Sequence, residues 1–211
     1  MGGRLTDVEK KRITQLYETR YELHGRSHKT VGWGSLEDQV LRFEILCRDL
    51  DLNGKSILDV GCGLGDLVPY LEARYGENFK YTGVDIAPSF VEAAQAKYSR
   101  SNTRFLCHEI STLDETEQYD VTLISGALSY RIEDNLNYTR TVLEKLFKMT
   151  REVVSVNFLS SYVDYQADKN FHYSPEDMFQ FAKSLTRWVT LYHDYPLWEF
   201  TLQLRHSAYE A

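Results

Sequence analysis

The sequence predicts an α/β fold built on a mostly parallel sheet. From residue 56 onward, apolar segments of four to six residues alternate with helical segments of nine to fifteen residues, as in repeated βαβ units. The apolar segments are continuous, as in Val121–Ile124, which is typical of strands covered on both faces. A glycine-rich loop also follows the first of these segments, where open α/β sheets bind ligands.

The first fifty residues are predicted to be helical. Thr6 and Glu9 have the spacing of a capping box, so a first helix begins after Thr6 and continues to Gly25. Its apolar residues fall roughly on one helical face: Val8, Leu16, Tyr17, Tyr21 and Leu23. A loop with three glycines, 25–34, separates this helix from a second helix that begins near Ser35.

The central part of the chain supplies the parallel strands. The predicted strands are Ile57–Val60, Tyr81–Ile86, Arg104–Cys107, Val121–Ile124 and Val153–Phe158. Helices are predicted between most of them, at Leu67–Tyr75, Phe90–Tyr98 and Asn135–Met149. The interval 109–119 is polar and is expected to hold only a short helix.

The C-terminal part predicts a helix followed by a hairpin. Ser174 and Pro175 mark the start of a helix that continues to about Leu185. Two strand segments follow, Trp188–Tyr192 and Glu199–Leu204. The loop between them is too short for a crossover helix, so the sheet is expected to finish with an antiparallel strand.

Composition narrows the class of protein. The chain has 211 residues and a formal charge of −7, which favours one acidic domain and argues against a nucleic-acid-binding surface. No apolar segment approaches the ~20 residues that span a bilayer, and the N-terminus lacks the apolar core of a secretory signal. The three cysteines never form a CxxC pair, which argues against a zinc site. We therefore expect a cytoplasmic protein without membrane or nucleic-acid partners.

The loop after the first strand is the most informative segment. Gly61, Gly63 and Gly65 occupy alternate positions between a buried strand and a helix, where glycine permits a tight turn and close approach to a ligand. A dinucleotide site would need a further glycine at position 66, where this chain has Asp66. Together with Asp59, this second carboxylate would repel a pyrophosphate. The pair favours a ligand with ammonium and sulfonium groups and no phosphate, such as S-adenosylmethionine (SAM).

Two further acids fit the nucleoside part of such a ligand. Asp85 ends the second strand, 20 residues after the last loop glycine, and can accept hydrogen bonds from both ribose hydroxyls. Glu109 follows the third strand and can accept from the adenine amine, while Ile86 and Ile110 pack against the ring. Small residues from Ser125 onward leave room for a second substrate beside the reactive methyl.

These features together resemble the class I SAM-dependent methyltransferases. The resemblance is carried by the run DVGCGLG at 59–65, by Val84–Ile86 and by Tyr119–Val121, and it covers residues 56–158. It implies a Rossmann-like, seven-stranded, mostly parallel sheet with an antiparallel last strand and an N-terminal helical lid. A single methyltransferase domain, 1–211, would then comprise the lid (1–50), a SAM-binding core (51–160), and a substrate loop, helix and C-terminal hairpin (161–211).

The resemblance also implies a set of SAM contacts. They are Asp59, Gly61, Cys62, Gly63, Gly65, Asp85, Ile86, Glu109, Ile110 and Ser125. Position 109 is more often Asp in the family, and Cys62 is interpreted as a small residue that fits the loop. Trp33 either closes over SAM or anchors the core. Arg42 either binds the methionine carboxylate or the substrate, or pairs with an exposed acid.

The sequence does not single out a catalytic residue. Methyl transfer from a sulfonium depends on positioning and desolvation, and a base is needed only when the nucleophile must lose a proton. The candidates are His24, His28, Tyr130 and His172. No metal is expected, because Gly25 interrupts the helix between the first two histidines and cationic residues flank them.

The predicted function is methyl transfer from SAM to a small-molecule acceptor, by in-line displacement that releases S-adenosylhomocysteine (SAH). Two alternatives remain: a protein or tRNA methyltransferase, and a SAM-binding subunit that acts through a partner. A dinucleotide oxidoreductase is a third, disfavoured by Asp66. A homodimer is left open.

Overall fold

The computed structural model describes residues 3–208, and a seven-stranded sheet runs through its centre. The strands are β1 (Ser56–Val60), β2 (Lys80–Asp85), β3 (Thr103–Cys107), β4 (Tyr119–Ile124), β5 (Thr150–Leu159), β6 (Trp188–Tyr192) and β7 (Glu199–Arg205). Their order is β3-β2-β1-β4-β5-β7-β6, and β7 is antiparallel to both of its neighbours. The predicted mostly parallel sheet with an antiparallel last strand is confirmed.

Helices connect most of the strands. They are α1 (Asp7–His24), α2 (Leu36–Leu46), α3 (Leu67–Tyr75), α4 (Pro88–Tyr98), α5 (Asn135–Met149) and α6 (Pro175–Leu185). A 3₁₀ turn, Ile110–Thr112, occupies the polar interval between β3 and β4. Side chains at the N-caps fix several of the starts, since Thr6, Ser35 and Ser174 each accept the backbone N–H three residues later. The capping box that the sequence predicts at Thr6 and Glu9 is present.

The sheet separates two apolar cores. Phe43 of α2 and Leu71 of α3 pack on one face together with Ile57 of β1. Leu146 of α5 packs on the other face together with Leu58, the next residue of the same strand. Successive strand residues therefore enter opposite cores, which explains why the strands are apolar without alternation.

Helix α1 partly buries the middle of the apolar face that the sequence predicts, at Leu16, Tyr17 and Tyr21, and leaves its two ends exposed. Val8 and Leu23 are 77% and 71% exposed, whereas Ile13 is buried and Tyr17 is half-buried. The rings of Tyr17 and Tyr21 pack on Phe90 of α4, with centroid distances of 5.5 and 6.1 Å. Within residues 3–208, every helix is too short or too polar to cross a bilayer.

The strand order determines where a ligand can enter. The chain proceeds outward from β1 through β2 to β3, and then returns to the other side of β1 as β4. The loops after β1 and β4 therefore diverge at the carboxyl edge of the sheet, which opens a crevice at this switch point. Residues of α1 and of the loop before α2 lie over that crevice.

Candidate active site

A cleft of about 1090 Å³, including the space at its open mouth, lies at this carboxyl edge. The loops after β1, β2, β3 and β4 form its floor, and α1 with the following loop covers it. The residues of the predicted SAM set that line it are Asp59, Gly61, Cys62, Gly63, Asp85, Ile86, Glu109, Ile110 and Ser125. Trp33 and Tyr130 also line it.

Two glycines give the loop after β1 its shape. Gly61 and Gly63 have φ values of +74° and +54°, a region that disfavours residues with a Cβ. A Cβ on Gly61 would also lie 2.4 Å from the Cβ of Ala127 in the loop after β4. The amides of Gly61 and Cys62 donate to the carbonyl of Val84 at 2.8 and 3.0 Å. The loop is thereby held against the end of β2, within reach of Asp85.

Asp85, the next residue of β2, also holds this loop through its side chain. Its carboxylate accepts the backbone N–H of Gly63 and of Ala87, both at 2.9 Å. Burial raises the pKa of Asp85 above its usual value, while the amide donors act in the opposite direction. A carboxylate held in this way keeps lone pairs that can accept hydroxyl groups from the cleft.

Asp59 is more deeply buried, with only 3% of its surface exposed. Its Oδ2 accepts the hydroxyl of Tyr81 at 2.6 Å. Burial raises the pKa of Asp59 to about 7, although the Tyr81 hydrogen bond favours the ionised form. The Cys62 thiol lies in the loop that follows Asp59. Burial raises its pKa too, which disfavours the reactive thiolate.

Asp59 and Asp66, the two carboxylates that the sequence predicts to repel a pyrophosphate, both have hydrogen-bond partners. Burial raises the pKa of Asp59, which favours its neutral form, and Asp66 lies 3.8 Å from the guanidinium of Arg26 and accepts the Gln39 amide at 3.3 Å. The repulsion between them is therefore weaker than the sequence predicts. The whole lining is nevertheless acidic: among the described residues it contains four carboxylates and no Lys or Arg, and the cations that contact two of these carboxylates, Arg26 and Lys10, lie outside the lining.

Glu109 lies at the far end of the cleft. It is buried, and it accepts the amide and the hydroxyl of Ser111 at 3.1 and 2.5 Å. The ammonium of Lys10, on α1, lies 3.4 Å from the same carboxylate. Ile86, Ile110 and His108 line this end as well. His108 was missed by the sequence analysis, although its place between β3 and Glu109 could have indicated it.

The loop after β4 forms one wall of the cleft, with small residues and the packed ring of Trp33. The hydroxyl of Ser125 is buried and has no hydrogen-bond partner among the described residues. Gly126 has a φ of +73°, and a Cβ there would lie 2.3 Å from Cη2 of Trp33. Trp33 thus packs directly on this glycine while another part of its surface lines the cleft.

Two residues of the predicted SAM set do not line the cleft. Arg42 is buried, and its guanidinium donates to both oxygens of Glu199 at 2.6 to 2.9 Å. Its partner is therefore a buried acid, not the exposed one that the sequence analysis considered. Gly65 faces away from the cleft, because a Cβ there would meet the rings of Phe105 and Tyr98 at 3.0 Å.

Of the four catalytic candidates, Tyr130 alone lines the cleft. His24 is exposed at the end of α1, and His28 lies in the next turn, where its carbonyl accepts the amide of Trp33. Nδ1 of His172 lies 2.8 Å from the carbonyl of Ser160, outside the lining.

Helix α5 supplies lining residues that the sequence analysis missed, Asn135 and Tyr138. Their position in the first two turns after the β4 loop is the signal that could have found them. No three His, Cys, Asp or Glu side chains in residues 3–208 are arranged to hold a metal ion.

Comparison with known proteins agrees with this geometry. A family model described as a methyltransferase domain matches residues 57–153. Rv1506c of Mycobacterium tuberculosis, whose name proposes a methyltransferase, is 34% identical over 161 residues, covering 72% of this chain and 94% of that protein. Malonyl-[acyl-carrier protein] O-methyltransferase of Acetivibrio thermocellus is 36% identical over 84 residues, which cover 38% of this chain and 29% of the longer relative.

Solved structures show the same fold at low sequence identity. Magnesium protoporphyrin IX methyltransferase from Synechocystis PCC 6803, with SAM bound, aligns with a TM-score of 0.66 and 17% identity over 98% of this chain and 100% of that one. DhpI, in complex with SAH, aligns with a TM-score of 0.69 and 12% identity over 95% and 98% of the two chains.

An α/β sheet with an acidic, glycine-lined cleft at its switch point defines a nucleoside-binding enzyme of the Rossmann-like type. Given these matches, the chain belongs to the class I SAM-dependent methyltransferases. Members of this family use SAM as the cofactor and release SAH. The alternative of a dinucleotide oxidoreductase is therefore excluded.

Proposed function

We propose that this methyltransferase transfers the methyl group of SAM to a small-molecule acceptor held beneath α1. The observation that carries the proposal is the lining of the cleft, which has four carboxylates and, among the described residues, no Lys or Arg. Such a surface suits a cationic cofactor and disfavours a polyanionic acceptor such as tRNA. The aromatic and aliphatic side chains that α1 and α5 contribute suit an apolar acceptor.

The lining residues fit SAM in the roles that the sequence assigns. SAM supplies a methyl group activated by a sulfonium. We assign Asp59 to the ammonium group, Asp85 to the ribose hydroxyls, and Glu109 to the adenine amine. The unpartnered hydroxyl of Ser125 supports the fit, because a buried polar atom without a partner is costly unless a ligand satisfies it.

The contribution of the chain to the reaction is to orient the reactants and exclude water. Tyr17 and Trp33 cover the cleft from above. Gly61 lets the loop after β1 approach Ala127, and Gly126 lets Trp33 pack on the loop after β4. We assign Tyr130 to contact with the acceptor, because it lines the cleft next to α1. A general base is not assigned, since a nucleophile without an acidic proton needs none.

The names of the relatives leave the methylated atom open. They include an O-methyltransferase of malonyl-[acyl-carrier protein] and a coclaurine N-methyltransferase from Thalictrum flavum. Screening small molecules, total tRNA and protein with methyl-labelled SAM therefore tests the acceptor class. Label in a small molecule supports the proposal. Label confined to tRNA or protein contradicts it, and SAH binding without any transfer favours the non-catalytic subunit.

The cofactor site has a direct binding test. Asp85→Ala removes the acceptor for two hydroxyls and frees the Gly63 amide, so SAH affinity is expected to fall at least ~100-fold, about 2.7 kcal/mol. Calorimetric titration with SAH measures the change. The matched control is Asp120→Ala, because Asp120 accepts the Ser56 amide at 2.8 Å on the opposite edge of the same sheet. Equal SAH binding by both variants would overturn the site assignment.

A further inference from the structure

A buried ion pair lies behind the wall that Trp33 forms. The side chains of Arg42 and Glu199 are 9% and 4% exposed, and their closest atoms, Nη2 and Oε1, are 2.6 Å apart. Arg42 belongs to α2 and Glu199 to β7, so the pair joins segments that are 157 residues apart. A buried ion pair is rarely more stabilising than apolar side chains of similar volume, which raises the question of what this pair does.

Asn157 extends the pair to the floor of the cleft. Its Nδ2 donates to Oε2 of Glu199 at 2.8 Å, and its Oδ1 accepts the backbone N–H of Gly126 at 2.8 Å. Gly126 follows Ser125, whose unpartnered hydroxyl is buried at the cleft. The conformation of the loop after β4 therefore depends on a side chain of β5 that Glu199 orients.

Trp33 closes the chain of contacts. The guanidinium carbon of Arg42 lies 4.0 Å from the centroid of the Trp33 ring, and the ring packs on Gly126. The contacts thus form a closed circuit from Arg42 through Glu199, Asn157 and Gly126 to Trp33. Of these five residues, the two that touch the cleft are Trp33 and Gly126, and the other three lie behind them.

We propose that Glu199 and Asn157 are positioning residues, which hold Trp33 and the Gly126 loop in place as a preformed wall of the SAM site. The inference rests on the proposed function, because that wall is assigned to the cofactor. A preformed wall raises affinity because the side chains that form it lose no freedom when the ligand binds.

The test compares two substitutions on one face of β5. Asn157→Ala cuts the link between Glu199 and Gly126. Ser155→Ala is the matched control, because Ser155 is also buried and bonds the carbonyl of Leu46, away from the cleft. Both variants lose buried hydrogen bonds, so both are expected to lower the melting temperature. A difference between them in ligand binding or in Trp33 mobility isolates the positioning effect.

Two measurements are made on each variant. The first is SAH affinity by calorimetry, at a temperature where circular dichroism shows both variants folded. The second is fluorescence anisotropy of Trp33 without ligand, in a Trp188→Phe/Trp198→Phe background, which leaves Trp33 as the single tryptophan of the three. With Asn157→Ala, SAH affinity is expected to fall about tenfold and anisotropy to drop. With Ser155→Ala, both are expected to stay at the parent values.

Equal anisotropy and equal SAH affinity in the two variants would overturn the proposal. Failure of the parent protein to bind SAH would overturn the proposed function instead, and the ligand-free anisotropy would still test the circuit.

Asn157→Asp provides a second variant should the alanine variant not fold. It keeps the acceptor for Gly126 and removes the N–H donor to Glu199, so the link between the two is cut and Trp33 is expected to be more mobile than in the parent protein. Anisotropy equal to that of the parent protein would contradict the proposal.

Discussion

Asp59 makes the stability of the protein depend on pH. Its pKa in the folded chain is about 7, against a usual value of 3.8, because burial penalises the charged form. Between these two values the unfolded chain has lost the proton and the folded chain keeps it. The contribution of Asp59 is therefore fully favourable below pH ~4, declines as the pH rises through about 7, and is constant above that.

Asp59→Asn is expected to stabilise the folded protein at pH 8. Asparagine can still accept the Tyr81 hydroxyl and avoids the buried charge, so the free energy of unfolding should rise by roughly 2 kcal/mol at pH 8 and by less at pH 5. Urea unfolding across this range measures it. Asp120→Asn is the control, because hydrogen bonds from Ser56 lower the pKa of Asp120. A constant difference between Asp59→Asn and the parent across the range would contradict the assigned pKa.

The raised pKa of Asp59 also predicts how cofactor binding responds to pH. On the proposed assignment, the ammonium group of SAH interacts with Asp59 only when that carboxyl is ionised. SAH affinity in the parent protein should then increase from pH 6 to pH 8, by about tenfold at most. Asp59→Asn should bind more weakly at pH 8 and show a flatter profile. Calorimetric titrations at three pH values provide the measurement, and parallel profiles would place the ammonium elsewhere.

Local sequence was sufficient for some residues of the cleft. The conformation of Gly61 and Gly63 and the place of Asp85 at the end of β2 follow from a strand, a loop and a helix that are adjacent in the chain. The partner of Arg42 could not be predicted, because Glu199 meets it only through the insertion of β7 beside β5. The burial of the Arg42 side chain likewise could not be predicted from the residues around it in the sequence.

At the scale of elements, α1 is fastened to both sides of the cleft. Arg12 donates to the carbonyl of Arg131 at 2.7 Å, and Glu9 accepts the amide of Glu133 at 2.8 Å. At the other end of the helix, Glu18 accepts the amide of Ser89, in the first turn of α4, at 3.1 Å. The first two bonds are exposed and the third is partly buried, so each contributes little alone, and together they hold the helix over the cleft.

Weakening one of these contacts should shorten the residence of the ligand. Arg12→Ala removes the bond to Arg131 and the contact with the Tyr130 ring, whose centroid is 5.1 Å from the guanidinium carbon. We expect SAH dissociation to accelerate by about three- to tenfold, with a smaller change in association. Stopped-flow displacement measures both rates. Lys11→Ala, an exposed neighbour on the same helix, is the control, and equal dissociation rates would show that α1 does not retain the ligand.

Element boundaries were more predictable than element faces. Caps at Thr6 and Ser174 gave the starts of α1 and α6, because these signals are local. The apolar face predicted for α1 is exposed at its two ends, Val8 and Leu23, and Ile13, which the prediction omits, is buried. Burial of a helix face depends on the neighbours that it meets in the fold. The place of β7 between β5 and β6 also needs the tertiary structure, because a hairpin does not determine which of its strands joins the sheet.

At the scale of the molecule, charge and topology act together. The chain carries a formal charge of −7, and carboxylates from β1, β2 and the turn after β3 converge on one cleft. Because the loops of β1 and β4 and the helix α1 all contact that cleft, a ligand there bridges the two halves of the sheet. Binding should therefore stabilise the whole fold and not just α1.

This coupling predicts a selective thermal shift. At a concentration about 100 times its dissociation constant, SAH should add about 2.7 kcal/mol to the folded state, which corresponds to a rise in melting temperature of about 5–10 °C for a domain of this size. NAD⁺ at the same concentration should produce no shift. Its diphosphate would face a lining that has four carboxylates and, among the described residues, no Lys or Arg to balance the negative charge. Asp85→Ala serves as the control, since it should lose the response to SAH while it remains folded. A shift with NAD⁺ equal to that with SAH would mean that the charge of the cleft does not select the cofactor.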